Sequence, residues 1–288
     1  MIPASFDYVR PSTIKEAFHA KVSGGAEAVI LAGGQSLITD LKLRNKQPVT
    51  IIDISAIPGL DEISFVDNRL FAGAMARQTE IVSKARDWTL LGQVADAAAD
   101  PMVRRRGTLV GAFCEADPGG DWVAAGLVLE ATVSIASMRP HSGNELVIRK
   151  IPLSDFIVGA KQVALSHGDI VTGAIIPAQP AGVKTIYKKV KHTSVGWSIA
   201  STAMTYDPTN HQFRIAVSGA VDFPKRLTVL EQKLGTTDIQ STDAINLAVS
   251  NSLQELKFRG DHYASAEYRK HRLGVLLKRT IQELVTGR

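Results

Sequence analysis

The sequence has almost no cysteine, since Cys114 is the single one in 288 residues. A disulfide within the chain is therefore impossible. A cysteine-ligated iron–sulfur cluster needs about four thiolates, and a structural zinc site built on paired cysteines fails by the same count. We therefore expect no metal site in this chain, and any metal chemistry must come from another polypeptide.

Long apolar runs and aromatic residues are also scarce. No window approaches the ~18 unbroken apolar residues of a membrane-spanning helix, and the N-terminal MIPASFDYVRPS lacks the charged-then-apolar order of a signal peptide. We therefore predict a soluble cytoplasmic protein with no membrane span. Aromatic residues make up only 6%, which is few for nucleic-acid stacking platforms. The formal charge of +5 instead suits a basic protein that holds an anionic ligand and docks on acidic partners.

The chain is long enough for about two domains. Short strands rich in Val and Ile alternate irregularly with helical segments, which predicts an α+β fold rather than a regular βαβ series. Pro177, Pro180 and Gly182 interrupt this pattern. We therefore place a domain boundary there, which divides the chain into residues 1–177 and 178–288.

Hydrophobic periodicity and capping residues locate the individual elements. Strands are predicted at residues 28–31, 49–54, 63–66, 70–73, 132–136, 170–176, 185–190, 199–205 and 213–221. Asp67–Asn68 reads as a hairpin turn. Thr13 and Glu16 form a capping box for a short helix, and Thr79 is predicted to cap a helix that begins near Glu80. Further helices are predicted at 88–99, ended by Pro101, and at 242–258 and 265–285.

Two glycine-containing segments are candidate ligand-binding loops. The first, AGGQS at residues 32–36, follows the strand that ends at Leu31; the second runs from Arg106 through Gly111 to Asp121. Glycines let main-chain N–H groups converge on an anion such as a pyrophosphate. Neither segment fits the dinucleotide G-x-G-x-x-G or the P-loop pattern, which disfavours a Rossmann or NTPase fold. Taken alone, each also fits an ordinary turn or surface loop.

Five motifs carry a resemblance to a known family. They are FDYVRPSTIKEA, AGGQSL, IIDIS followed by IPGL, GTLVGAFCEADPGGD and the tail SAEYRKHRLGVLLKRTI. In this order they resemble the FAD-binding medium subunit of the molybdenum hydroxylases, the family of xanthine dehydrogenase and carbon monoxide dehydrogenase. The resemblance extends from Phe6 to about Ile281.

The resemblance implies a fold. The family has an FAD-binding domain of the vanillyl-alcohol-oxidase (PCMH) type in two α+β lobes, here about residues 1–55 and 56–177. A C-terminal domain with a small antiparallel sheet and helices follows, here residues 178–288.

The resemblance also implies the residues that contact FAD. The first pyrophosphate-binding segment corresponds to Val29, Ile30, Leu31, Ala32, Gly33, Gly34, Gln35 and Ser36. The second, usually TIGGN, corresponds to Thr108, Leu109, Val110, Gly111 and Ala112. Further cofactor contacts correspond to Asp117, Asp121, Val171, Lys188 and Trp197, the last of them against the isoalloxazine ring.

The second segment departs from the family pattern at two positions. Val110 replaces a glycine and does not adopt a positive φ cheaply. Ala112 replaces an asparagine and lacks its amide group. We expect one hydrogen bond to FAD to be missing or replaced, with binding retained because the main chain supplies the donors. Cys114 lies in this segment with no identifiable partner base, so no catalytic residue is predicted.

The function implied is electron transfer. In the family, substrate is hydroxylated at a molybdenum–pterin centre on a large subunit, and electrons cross two [2Fe–2S] clusters on a small subunit to FAD and then to an external acceptor. A dimer of such heterotrimers is expected. Lys188 is predicted to stabilise the reduced flavin. The alternatives are a stand-alone FAD-dependent oxidase or reductase, and a non-catalytic docking or nucleic-acid-binding module. The substrate, whether N-heteroaromatic, purine, aldehyde or carbon monoxide, and the acceptor stay open.

Overall fold

The computed structural model describes residues 2–138, 145–192 and 196–287. The first lobe is built on a parallel sheet of three strands in the order β1-β3-β2. Its elements are β1 (Asp7–Val9), α1 (Ile14–Ser23), β2 (Ala28–Leu31), α2 (Leu37–Leu43) and β3 (Thr50–Asp53). The predicted capping box is confirmed, because Thr13 Oγ1 accepts the N–H of Glu16 at 3.1 Å. The Glu16 carboxylate reaches back to the N–H of Ser12 at 2.7 Å.

The second lobe contains a five-stranded antiparallel sheet in the order β4-β5-β10-β6-β7. Its elements are β4 (Ile63–Val66), β5 (Arg69–Gly73), α3 (Gln78–Lys84), α4 (Thr89–Ala97), α5 (Pro101–Arg106), α6 (Leu109–Glu115), α7 (Asp121–Val128), β6 (Thr132–Met138), β7 (Leu146–Pro152), α8 (Leu153–Phe156), β8 (Ile157–Gly159), β9 (Gln162–Val163) and β10 (Ile170–Pro177). The hairpin turn at Asp67–Asn68 is confirmed, with positive φ at both residues, as a tight two-residue hairpin requires.

The helices of this lobe differ from the predictions in two places. The cap at Thr79 is wrong, because α3 already begins at Gln78 after Arg77. Pro101 does more than end a helix: it is the first residue of α5, and the Asp100 carboxylate caps that helix by accepting the N–H of Val103 at 2.9 Å. Proline is favoured at this position because its missing N–H has no intrahelical partner there.

The C-terminal part forms an antiparallel sheet in the order β11-β12-β13-β14, covered by helices. Its elements are β11 (Lys184–Lys191), β12 (Ser198–Asp207), β13 (Gln212–Ser218), β14 (Lys225–Arg226), α9 (Thr228–Thr236), α10 (Thr242–Ser252) and α11 (Ala266–Thr286). The predicted apolar stripe of the last helix is confirmed: Leu273, Leu277 and Ile281 are fully buried. The helix predicted to reach residue 258 is shorter, since α10 ends at Ser252 and a 3₁₀ turn follows.

Helix α7 joins the two parts of the molecule. All eight of its residues are buried, which is typical of a helix enclosed on every side, and it packs on β12 and β13. The side chains of Tyr187, Ala203 and Ala216 from the C-terminal sheet belong to the same hydrophobic core as both lobes. The remaining C-terminal apolar residues form a second core. Among the described residues, no helix has both the length and the hydrophobicity to span a membrane.

Candidate cofactor-binding cleft

The two glycine-containing segments lie in direct contact. A Cβ atom on Gly33 would collide with the carbonyl oxygen of Arg106, and it would lie 3.0 Å from Gly107 Cα and 3.1 Å from the nitrogen of Thr108. The turn after β2 is therefore packed against the turn after α5, main chain on main chain. Only glycine permits so close an approach at position 33.

The first turn presents main-chain donors to solvent. Within the described part of the chain, the N–H groups of residues 34–36 donate no hydrogen bond to a protein atom. Gly34 has a φ of +73°, and a Cβ there would lie 2.8 Å from Ile38 Cδ1. Consecutive N–H groups around a residue with positive φ form a concavity that binds anions.

The second segment begins a helix. Thr108 caps α6, because its Oγ1 accepts the N–H of Gly111 at 3.0 Å. Two neighbours fix the preceding turn: the main-chain N–H of Gln78 donates to the Gly107 carbonyl at 2.9 Å, and the guanidinium of Arg77 donates to the Arg106 carbonyl. The prediction of a continuous loop here is therefore wrong, since a threonine N-cap starts a helical turn.

Val110 and Leu109 are core residues of α6. Val110 is 2% exposed and Leu109 is fully buried, and Val110 has no positive φ. The expectation that Val110 strains the backbone is therefore wrong, because a residue inside a helix adopts an ordinary right-handed conformation. Ala112 is half-buried and lines the cleft between the two segments. Whether its lack of an amide group removes a hydrogen bond to FAD is not tested by this position, and that expectation stays a prediction.

Restoring the family glycine at position 110 is expected to harm the protein. Val110→Gly removes a buried side chain and places glycine inside a helix, so we expect the free energy of unfolding to fall by about 2 to 3 kcal/mol. FAD affinity should not improve. Denaturant unfolding and FAD titration measure the two quantities. A variant that binds FAD more tightly would contradict this account of α6.

A cleft of about 490 Å³ opens where the two segments meet. Fifteen of the predicted cofactor contacts line it: Val29, Ile30, Ala32, Gly33, Gly34, Gln35, Ser36, Thr108, Val110, Gly111, Ala112, Asp117, Asp121, Val171 and Trp197. In the described part of the chain, Leu31, Leu109 and Lys188 do not line it. Both lobes and the C-terminal domain therefore contribute walls to one cleft.

Asp121 is held from the C-terminal domain. Its carboxylate accepts the hydroxyl of Tyr187 at 2.5 Å and the ammonium of Lys189 at 2.8 Å. The Lys189 side chain is only 4% exposed. Burial raises the pKa of Asp121 above its ordinary value, although Lys189 acts in the opposite direction. Burial and the neighbouring carboxylate also raise the pKa of Tyr187.

Lys188 and Lys189 point to opposite sides of β11, as successive strand residues do. Lys188 pairs with Glu283 on α11 at 2.8 Å, and both side chains are about two-fifths exposed. Lys189 lines the cleft and pairs with Asp121. The lysine that lines the cleft is thus Lys189, one residue along from the predicted Lys188.

Trp197 stands at the edge of the cleft. It is 61% exposed, and a Cβ on Gly119 would lie 3.3 Å from its Cε3. The indole therefore lies beside the stretch that leads to Asp121. The Gly119 N–H donates to Asp117 at 2.8 Å, so Asp117 stabilises the turn in addition to lining the cleft.

Sequence reasoning missed several other lining residues. The turn Ala98–Ala99–Asp100 contributes one wall, with Ala99 at a φ of +44°. Asp169 contributes another, and its carboxylate is held by Ser137, Arg149 and the N–H of Ser166. A left-handed alanine has no local sequence signal, whereas the Asp100-Pro101 pair is a helix-start signal that could have drawn attention to this turn.

The chemistry of the cleft is that of binding. Cys114 lines it, but burial raises the pKa of its thiol to about 12, so it is not a ready nucleophile. No group of three or more potential metal ligands occurs among the described residues. The free N–H groups and the enclosed volume point to a ligand that combines an anionic centre with extended apolar parts.

Comparison with known proteins decides the family. Residues 4–179 match the family described as "FAD binding domain in molybdopterin dehydrogenase". The chain belongs to this family. Residues 185–284 match the "CO dehydrogenase flavoprotein C-terminal domain". The two matches together cover most of the chain.

Relatives of this flavoprotein match it over nearly its whole length. The nicotine 6-hydroxylase medium subunit of Paenarthrobacter nicotinovorans is 30% identical, over 96% of each chain. The glyceraldehyde dehydrogenase medium chain of Sulfolobus acidocaldarius is 29% identical, over 99% of this chain and 100% of its own. A solved structure of carbon monoxide dehydrogenase from Hydrogenophaga pseudoflava superposes with a TM-score of 0.89 at 28% identity, covering 97% of this chain and 96% of that chain.

These matches confirm the predicted family and the α+β fold. The protein is an FAD-binding, electron-transferring component of a multi-subunit oxidoreductase. The stand-alone flavoenzyme and the docking or nucleic-acid-binding module are not favoured, because the similarity covers medium subunits from end to end.

Proposed function

We propose that the cleft holds FAD with its diphosphate between the turn at residues 33–36 and the turn at Thr108. The contact of Gly33 with the main chain of Arg106 to Thr108 carries this proposal, because it places the free N–H groups of residues 34–36 beside the start of α6. The side of the cleft formed by Val171, Lys189 and Trp197 takes the isoalloxazine ring.

The residues present fit an anionic dinucleotide. The N–H groups of residues 34–36 are free to donate, and glycines at positions 33 and 34 keep side chains out of the concavity. The cleft volume of about 490 Å³ is in the range of cofactor sites, roughly 300–1,000 Å³. Apolar walls such as Val171 suit a planar ring.

When bound, FAD supplies the redox chemistry, and the chain supplies binding, orientation and electrostatics. Lys189 and Asp121 form a buried pair whose charges balance, so they orient the cleft wall while adding little net charge. Because Lys189 and not Lys188 lines the cleft, the hypothesis made for Lys188 passes to Lys189: with FAD bound, its ammonium would favour added negative charge on the ring to the extent that Asp121 does not neutralise it.

We further propose the assembly. Electrons enter from [2Fe–2S] clusters on a small subunit, substrate is hydroxylated at a molybdenum–pterin centre on a large subunit, and this chain passes the electrons to an external acceptor. The names of the relatives as medium subunits support this arrangement, and a single cysteine cannot ligate the clusters. The dimer of heterotrimers, the cytoplasmic location and the domain boundary at residues 177/178 stay predictions.

Thermal unfolding with two flavins tests the diphosphate site. A ligand at 100 times its dissociation constant stabilises the folded state by about 2.7 kcal/mol. We expect FAD to raise the melting temperature of the purified chain, whereas riboflavin, which has the same ring and no phosphate, should have little effect at equal concentration. Equal stabilisation by both flavins would contradict a site built around the diphosphate.

Purification of the native assembly tests the proposed partners. We expect a yellow complex with three kinds of subunit that contains flavin, iron and molybdenum, with the flavin lost from the complex when this chain is removed. A yellow chain that purifies without iron or molybdenum would instead support a stand-alone flavoprotein. A colourless chain would contradict FAD binding altogether.

A further inference from the structure

Arg269 is a buried arginine in α11 that contacts the chain next to Trp197. Only 2% of it is exposed, and it is the largest fully buried side chain in the described residues. Its Nη1 donates to three carbonyl oxygens, of Ser198 at 3.2 Å, Ile199 at 3.0 Å and Gly219 at 2.8 Å. One nitrogen thus ties the start of β12 to the turn after β13.

The second terminal nitrogen fixes the guanidinium itself. Nη2 of Arg269 donates to both oxygens of Asp261, at 2.7 Å and 2.8 Å. Asp261 is in turn fixed by the main-chain N–H groups of Tyr263 and Ala264. A charged pair of this geometry is strong and directional, so the position of Nη1 is set by contacts on the far side of the group.

These contacts reach the cleft through two main-chain links. Ser198, whose carbonyl Arg269 holds, directly follows Trp197. Gly219 donates its N–H to the carbonyl of Pro118 at 2.7 Å, and the next residue, Gly119, lies against the Trp197 indole. Arg269 therefore joins the chain that carries the indole to the segment that the indole faces.

We propose that Arg269 is a positioning residue that holds Trp197 over the cleft. The indole is mostly exposed, so its own packing contributes little to fixing its place, and the main chain that follows it must do so. The consequence for the cofactor rests on the proposed function, in which Trp197 covers the isoalloxazine ring. The role of Arg269 toward Trp197 can be tested without the cofactor.

Tryptophan fluorescence provides that test. Trp88 and Trp122 are buried at 6% and 5% exposure, against 61% for Trp197, so collisional quenching by acrylamide and the fast anisotropy decay report chiefly on Trp197. We expect Arg269→Lys to speed the anisotropy decay and increase quenching in the full chain. One ammonium cannot serve Asp261 and three carbonyls together. Unchanged indole mobility in a folded Arg269→Lys variant would overturn the proposal.

Two further variants keep the test decisive. Arg226 is a matched control, because it makes a two-pronged contact with Glu231 in the same domain but does not contact the chain around Trp197; Arg226→Lys should leave the indole signal unchanged. If Arg269→Lys does not fold, the variant Asp261→Asn takes its place in the test. Asp261→Asn weakens the contact that fixes the Arg269 guanidinium, while Arg269 keeps its three carbonyl contacts. A smaller change in the same direction supports the proposal, and no change overturns it.

The loaded assembly then tests the consequence for FAD. An indole against a flavin quenches its fluorescence, so Trp197→Ala should raise flavin emission, and Arg269→Lys should give more than half of that increase. In the double variant the effects should not add, as expected when one residue acts through another. Additive effects would overturn the role of Arg269. If Trp197→Ala itself leaves flavin emission unchanged, the proposed place of the ring fails, while the mobility result still stands.

Discussion

Replacing Gly33 with valine is expected to weaken FAD binding by the purified chain on the order of 100-fold. Any Cβ at this position collides with the carbonyl of Arg106 and crowds Gly107 and Thr108, and main chain cannot yield as a side chain can. Overpacking of this kind costs roughly 1–3 kcal/mol, and valine belongs at the upper end. Because about 1.4 kcal/mol is tenfold in affinity, the dissociation constant should rise on the order of 100-fold. Titration with FAD measures it.

The helix α4 offers a matched control for this substitution. A Cβ on Gly92 would meet no atom within 4 Å, and the residue lies within a helix, where alanine is preferred by up to about 1 kcal/mol. Gly92→Ala should therefore bind FAD normally and be as stable as the parent or slightly more so. A Gly33→Val chain with parental affinity would mean that the two turns do not form one diphosphate site.

Among the substitutions proposed for this chain, replacing Lys189 with methionine should cause the largest loss in the free energy of unfolding. The change leaves the buried Asp121 carboxylate with Tyr187 as its remaining partner. Breaking a buried ion pair by removing one partner typically costs about 3–5 kcal/mol. Urea unfolding of the purified chain measures the loss, and Lys188→Met is the control. Because both side chains of the Lys188–Glu283 pair are about two-fifths exposed, its removal should cost no more than about 1 kcal/mol.

The stability of Lys189→Met should also depend on pH, and the sign of that dependence follows from the pKa of Asp121. The pKa of Asp121 is already raised by burial, and Lys189 is the largest influence that lowers it. In Lys189→Met the folded-state pKa therefore rises further above the unfolded value. Between those two pKa values the folded state binds a proton that the unfolded state has released, so stability falls as pH increases through this window. A variant that is equally destabilised at every pH would contradict a buried, unpaired carboxylate at position 121.

The sequence was sufficient to predict the parts of the cleft that local chemistry dictates. Glycines at positions 33 and 34 follow a strand, and only a close approach or a positive φ explains such a pair economically. The short Val- and Ile-rich run of β10 and the tail pattern around Leu277 likewise predicted their elements. These features depend on neighbours in the chain, which is why they can be read without a structure.

The features that were missed depend on contacts distant in sequence. The run KKVK in β11 offers lysines at positions 188, 189 and 191, and a shift of one residue in a strand moves a side chain to the opposite face. Only the contact with Asp121, the first residue of α7, selects Lys189. The α6 helix was missed because Gly107 and Gly111 resemble loop residues, whereas here they make room for Gln78 and for the Thr108 hydroxyl.

Asp121 lies in the FAD-binding region, but its side-chain partners lie in the C-terminal region. This arrangement has a consequence for how the gene can be divided. The aspartate is encoded in the first half of the gene, and both of its side-chain partners, Tyr187 and Lys189, are encoded in the second. A polypeptide cut between the halves would lose this contact and would also expose the part of the first core that Tyr187, Ala203 and Ala216 complete. Fission or domain exchange at this junction would therefore succeed only where both fragments are inherited, produced and reassembled together.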